Sequence, residues 1–152
     1  MGYAMISTPR PRMTGIGRVL VVVYGIMALA ATGRSFVQIV REFDEAPLAY
    51  SLSALAAVVY ILATLALIFS GSRTWYRVAW IAICFELAGV LIIGTLSFLL
   101  PDLFAHPTVW SWFGAGYLLI PLVLPFLGLW WLILHRPAVR PAAPAPADAV
   151  AR

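Results

Sequence analysis

Apolar residues run through this chain in four long blocks, and the polar positions between them are few and grouped. A helix rises about 1.5 Å per residue, so a bilayer core is crossed by roughly 20 apolar residues. The first block predicts a spanning helix over about 17–38, with Arg34 near its outer end. Asp44-Glu45-Ala46-Pro47 then reads as an acidic cap with proline in the first turn, where a missing N–H costs nothing. It opens a second helix over 47–70, which stops at Gly71-Ser72-Arg73. A third is predicted over 76–100, halted by Pro101, and a fourth over 109–134. Asp102 to His106 is expected to form a short interfacial helix between them.

The predicted fold class is therefore all-α, a four-transmembrane-helix bundle over 16–135 with disordered tails. The polar arm 1–15 and the Pro/Ala-rich tail 136–152 cannot bury a core and read as cytoplasmic extensions. A rival reading exists for the first block. Arg10, Arg12 and Arg18, an apolar stretch and Ala28-Leu29-Ala30 also resemble a cleavable signal peptide. The helical pattern nevertheless continues through Ile39, which favours a span.

Composition agrees with the pattern. The chain is 63% hydrophobic and 11% charged, far from the roughly 45–50% and 25% of soluble domains. The net charge of +4 changes the picture only through its placement. Arg10, Arg12, Arg18, Arg73, Arg77, Arg136, Arg140 and Arg152 fall on one side of the predicted bundle. The other side holds Arg34 and Arg41 beside Glu42, Asp44, Glu45 and Asp102. Arginine is retained on the cytoplasmic side, so both termini are read as inside the cell membrane. Tryptophans fit interfacial belts in that orientation: Trp75, Trp80, Trp130 and Trp131 on the inner side, Trp110 and Trp112 on the outer. No basic stripe interleaved with aromatics is present, so a nucleic-acid partner is not expected.

Candidate chemistry narrows to one residue. Glu86 falls near the middle of the third helix, where a carboxylate costs about 2.5–3.5 kcal/mol even on the lenient insertion scale. Counting inward from the helix ends puts Tyr24, Tyr60 and Thr64 at its depth. Pro121 and Pro125 there leave the carbonyls of Tyr117 and Pro121 without their usual donor. Glu86 is expected to meet Tyr60 or one of those carbonyls. On the outer side Arg34 is expected to reach headgroups or to pair with Glu42 or Glu45, with Asp44 and Asp102 as helix caps. His135 is expected to face headgroups, and Cys84 to be a small buried apolar residue. Glu42, Asp44, Glu45, Asp102 and His106 lack any diagnostic ligand spacing, so neither a metal nor a cofactor is expected. Gly17, Gly25 and Gly33 recur every eight residues and suggest close packing along the first helix.

Arg41-Glu42-Phe43-Asp44-Glu45-Ala46-Pro47-Leu48-Ala49-Tyr50, Thr108-Val109-Trp110-Ser111 and Pro121-Leu122-Val123-Leu124-Pro125 resemble uncharacterised small four-helix integral membrane proteins of actinobacteria. The resemblance covers about 17–135 and implies the four-helix fold but no particular activity. Small multidrug transporters also combine four helices with one membrane glutamate, but theirs lies in the first helix and this one in the third. The leading expectation is a non-catalytic multi-pass component that packs against itself or a membrane partner in the lipid bilayer. The alternative is a small proton- or cation-coupled transporter working as an oligomer, with Glu86 as the coupling carboxylate. An enzyme acting on lipids comes third, since no nucleophile, base or metal set can be named.

Overall fold

The computed structural model describes Met13 and residues 15–138, so most of the 1–15 arm and the 136–152 tail lie outside the described residues. The chain forms α1 (Gly15–Glu42), α2 (Pro47–Ile68), α3 (Arg73–Leu99) and α4 (Ile120–Leu134), with 3-10 turns at Phe43–Glu45 and Ser111–Tyr117. No strand occurs among the described residues, and the fold class is all-α. Three helices are long and apolar enough to cross a membrane, and the bent pair Ser111–Tyr117 and Ile120–Leu134 makes a fourth span if counted as one.

The first three helices follow from their sequences. α1 buries Gly17, Leu20, Tyr24, Met27, Ala28, Ala31 and Ser35, a stripe at three- and four-residue spacing. It passes Ala31 without a break, and its 28 residues give it a length of about 42 Å. α2 begins with Pro47 in its first turn as expected. The acidic cap is not made: Ala46 is the cap residue, and Asp44 and Glu45 belong to the preceding 3-10 turn. α2 turns Ala56, Ala57, Ala63 and Ala66 inward, and Ala28 and Ala31 of α1 are buried too. Small residues of this kind let helix backbones approach closely in an apolar solvent. The α2–α3 turn is tight, with the Ser70 hydroxyl donating to the Leu67 carbonyl and the Ser72 N–H to Phe69. Large apolar side chains such as Val19, Ile26, Leu29, Val58, Ile81 and Phe98 face outward, as a bilayer permits.

The fourth block departs from expectation. A continuous helix over 109–134 is replaced by α4, whose 15 residues span only about 22 Å, and by a 3-10 turn bent 98° from it. The cause is local. Trp112, Phe113 and Gly114 hold φ of 49°, 57° and 76°, and Leu118 and Leu119 hold 56° and 61°. Left-handed backbone costs an L-residue roughly 1–2 kcal/mol, so this path exists only because packing compels it. Asp102 to His106 forms turns rather than an interfacial helix, and Asp102 caps nothing helical.

The α3–α4 connection dips into the bundle and returns. Phe104, Val109 and Trp110 are buried, at 2%, 1% and 1% exposure. The Trp110 ring lies against Gly89, where an added Cβ would stand 2.7 Å from it, and meets the Phe85 ring at 6.5 Å. The Phe113 ring lies against Gly94 and Phe98, further along α3 toward its C-terminal end. The chain thus goes inward to Trp110 and outward again by Phe113. Gly114 is needed twice over, for its positive φ and because a Cβ there would meet Pro121 at 2.5 Å. Trp110 is accordingly a core residue and not part of an outer aromatic belt.

Gly89→Ala should displace Trp110 and destabilise the protein by about 1–3 kcal/mol, the usual effect of overpacking. Gly25→Ala is the control, since its Cβ would meet only Thr64 Cγ2 at an ordinary 3.9 Å. Thermal unfolding in detergent should separate the two variants, and equal midpoints would refute the Trp110–Gly89 fit.

Candidate functional site

Glu86 is completely buried midway along α3, on the face formed with Ala79, Ala82, Ile83 and Val90. Tyr24 of α1 donates its hydroxyl proton to Glu86 Oε2 at 2.8 Å. The Tyr60 ring of α2 stands 6.3 Å from that of Tyr24, at 49° to it. Gly128 of α4 completes the enclosure: a Cβ there would lie 3.0 Å from Ile83 and 3.2 Å from the Tyr24 hydroxyl. All four helices therefore close around one carboxyl group.

Sequence reasoning brought Tyr24, Tyr60 and Glu86 to one depth, and the structure joins them. The hydrogen-bond partner is Tyr24, however, and not Tyr60 or a proline-freed carbonyl. Thr64 does not join the cluster, because its hydroxyl donates to the Tyr60 carbonyl of its own helix at 2.7 Å. It also lines a shallow outward groove between α1 and α2 with Gly25, Ile26 and Ile61. Trp110 was missed. Its indole Nε1, like the Tyr60 hydroxyl, is buried and makes no hydrogen bond among the described residues. Only Gly89, a small residue one turn from Glu86, hinted that a large ring would enter there.

Glu86 Oε1, Tyr60 Oη and Trp110 Nε1 are each buried without a hydrogen-bond partner among the described residues. Buried polar atoms are seldom left so. A second group lies toward the end of the bundle where α1 finishes and α2 begins: Ser53 Oγ on α2, and Ser35 Oγ, Gln38 Oε1 and Arg34 Nε on α1. Each sits on, or beside, the stripe that carries Tyr24 or Tyr60.

The outer charges are arranged differently from expectation. Arg34 pairs with neither Glu42 nor Glu45; it donates from a terminal nitrogen to the Pro107 carbonyl at 2.7 Å. That bond ties α1 to the inward-dipping segment, whose carbonyl would otherwise need water. The Tyr50 hydroxyl lies 3.3 Å from His106 Nδ1 and 3.5 Å from Glu42 Oε2, while the His106 ring meets the tyrosine edge-on. Asp44 and Glu45 are both exposed. Thr108 and Ser111 bond to each other, and their hydroxyls take up the N–H groups of Thr108, Trp110 and Ser111. No cluster of three or more metal-ligating side chains occurs among the described residues.

Two smaller expectations also change, those for Cys84 and for the glycines of α1. Cys84 is exposed on the outer face of α3. His135 stacks on Trp131 at 4.5 Å and its Nδ1 lies 2.9 Å from the Trp131 carbonyl. Of Gly17, Gly25 and Gly33, only Gly17 is tightly packed, against the Trp131 ring. Comparison with protein-family models, curated proteins and solved structures gives no match for this chain.

The geometry yields an ordering of variants. Tyr24→Phe strands a buried carboxyl and should cost about 1–3 kcal/mol. Glu86→Gln keeps an oxygen for Tyr24 and should cost under about 1 kcal/mol. A double-mutant cycle of Tyr24→Phe with Glu86→Leu, which removes the acceptor, should return a coupling of about 0.6–2 kcal/mol on unfolding in mixed micelles. Zero coupling would mean that the bond contributes nothing.

Proposed function

We propose that this chain is a non-catalytic multi-pass membrane protein, a packing or interaction component of the cell membrane with both termini cytoplasmic. One observation carries this reading: the most costly residue in the bundle is used as a fastener. Glu86 is fully enclosed, with one oxygen accepting from Tyr24. A carboxyl held in this way selects one packing of four helices, as interhelical hydrogen bonds do in lipid. The surface left to act outward is apolar and rich in Val, Ile, Leu and Phe. The orientation rests on arginine placement: among the described residues, Arg18, Arg73, Arg77 and Arg136 lie at one end of the bundle. The resemblance to four-helix proteins of actinobacteria is compatible with this reading.

A second reading, a small proton- or cation-coupled transporter acting as an oligomer through Glu86, has an observation of its own. Ser53, Ser35, Gln38 and Arg34 keep unpartnered polar atoms between the level of Glu86 and the outer end. Such atoms are the lining that a hydrated path needs, because each could hold a water.

The two readings separate in proteoliposomes loaded with a pH-sensitive dye. On the leading reading, an imposed pH gradient decays at the rate of protein-free vesicles, and Glu86→Gln changes neither that rate nor the oligomeric state counted by single-molecule photobleaching. Faster decay with wild type that Glu86→Gln abolishes would replace the leading reading with the second.

A further inference from the structure

The end of the bundle where α3 begins and α4 finishes carries a groove of about 380 Å³ lined by Arg73, Tyr76, Arg77, Trp80, Arg136 and Pro137. Three cations of one sign share this small space. Arg73 and Arg77 sit four apart on the first turns of α3 and therefore side by side, an arrangement that is unfavourable for like charges alone. Arg136 reaches the groove from just beyond α4. Among the described residues every carboxylate lies elsewhere: Glu86 at the bundle centre, and Glu42, Asp44, Glu45 and Asp102 at or beyond the far ends of α1 and α3. Among the described residues the groove therefore has no counter-ion of its own.

Its walls are fixed. The Tyr76 hydroxyl donates to the Leu132 carbonyl at 2.7 Å and so bolts the start of α3 to the end of α4. Ser72 caps α3 without a side-chain hydrogen bond, so the first amides of α3 add partial positive charge beside Arg73. The surroundings are apolar at once: Ile133 and Leu134 are 49% and 60% exposed, and Trp80 forms part of the lining. An anion with fatty chains meets both requirements, its charge on the guanidinium groups and its chains along α4.

We propose that this groove is a binding site for the phosphate of an anionic phospholipid headgroup. Guanidinium forks match phosphate oxygens in pairs, and basic pockets between membrane helices take such headgroups. Binding relieves the repulsion between Arg73 and Arg77 and clamps α3 to α4 where Tyr76 already joins them. The site rests on the membrane reading of the long apolar helices and is independent of any role for Glu86.

The full-length chain in phosphatidylcholine nanodiscs, with and without phosphatidylglycerol, tests this. Native mass spectrometry should show phosphatidylglycerol retained over phosphatidylcholine by roughly tenfold or more, since each surface arginine contributes to anionic-lipid attraction. The thermal midpoint should rise by several degrees with the anionic lipid. R73Q/R77Q/R136Q should lose both effects, while Arg18→Gln, at the same end but outside the groove, should keep them. Arg136→Gln alone, lying outside every helix, should lose part of both effects without disturbing the fold. Equal retention of the two lipids, or an undiminished preference in R136Q and the triple variant, would overturn the proposal. So would inorganic phosphate in phosphatidylcholine nanodiscs reproducing the midpoint shift and displacing phosphatidylglycerol, because the ligand would then be a soluble anion.

Discussion

Irregular backbone inside an apolar bundle has to be covered and satisfied by protein, since hydrocarbon offers no hydrogen bonds. The stretch from Phe104 to Leu119 imposes that requirement on everything around it. Arg34 supplies a donor for the Pro107 carbonyl, and Thr108 and Ser111 take up three backbone amides. Gly89 and Gly94 remove their side chains so that Trp110 and Phe113 can enter. Four non-glycine residues with positive φ show how much packing is needed to hold this path. The shortness of α4 is the same fact seen from the other side: its 15 residues reach about 22 Å, and the dipping segment fills the rest of the bundle.

Glu86 depends on this arrangement. Without Trp110 beside Gly89, the side of α3 one turn from the carboxyl would be open. The carboxyl is thus enclosed by two devices of different origin: regular helix packing on the α1, α2 and α4 sides, and an irregular plug on the remaining one. A polar residue in a bundle is ordinarily assigned to a helix interface. Here the interface is completed by a segment that is not a helix.

This explains what could be read from the sequence. α1, α2 and α3 carry runs of apolar residues long enough to span, and Pro47 and Pro101 mark boundaries that any helix would respect. Tyr24 and Tyr60 were found by depth counting because straight antiparallel helices preserve depth. Thr64 was placed at the same depth, but depth fixes no direction around the helix axis, and its hydroxyl goes to its own backbone. The fourth block failed because hydropathy is indifferent to φ. Thr108-Val109-Trp110-Ser111 is as apolar as a helix start, and nothing in its composition encodes the left-handed turn at 112–114. The signal lay in α3 instead, in the two glycines five residues apart that leave room for rings. Arg34 was misread for a related reason, since its acceptor is a backbone carbonyl that exists only after the connection folds back.

Polar atoms are not distributed evenly about the carboxyl. On the side toward α3's start, the Tyr76 and Ser70 hydroxyls are each spent on a carbonyl, and Leu20, Leu67, Ile83 and Leu132 fill the core. On the other side, Ser53, Ser35, Gln38 and Arg34 keep polar atoms without a hydrogen-bond partner among the described residues. Apolar packing with every hydroxyl satisfied is a poor host for water, whereas partnerless hydroxyls and amides are a good one. Glu86 therefore stands at the floor of a one-sided polar stripe, sealed beneath and roofed by the dipping segment that Arg34 secures.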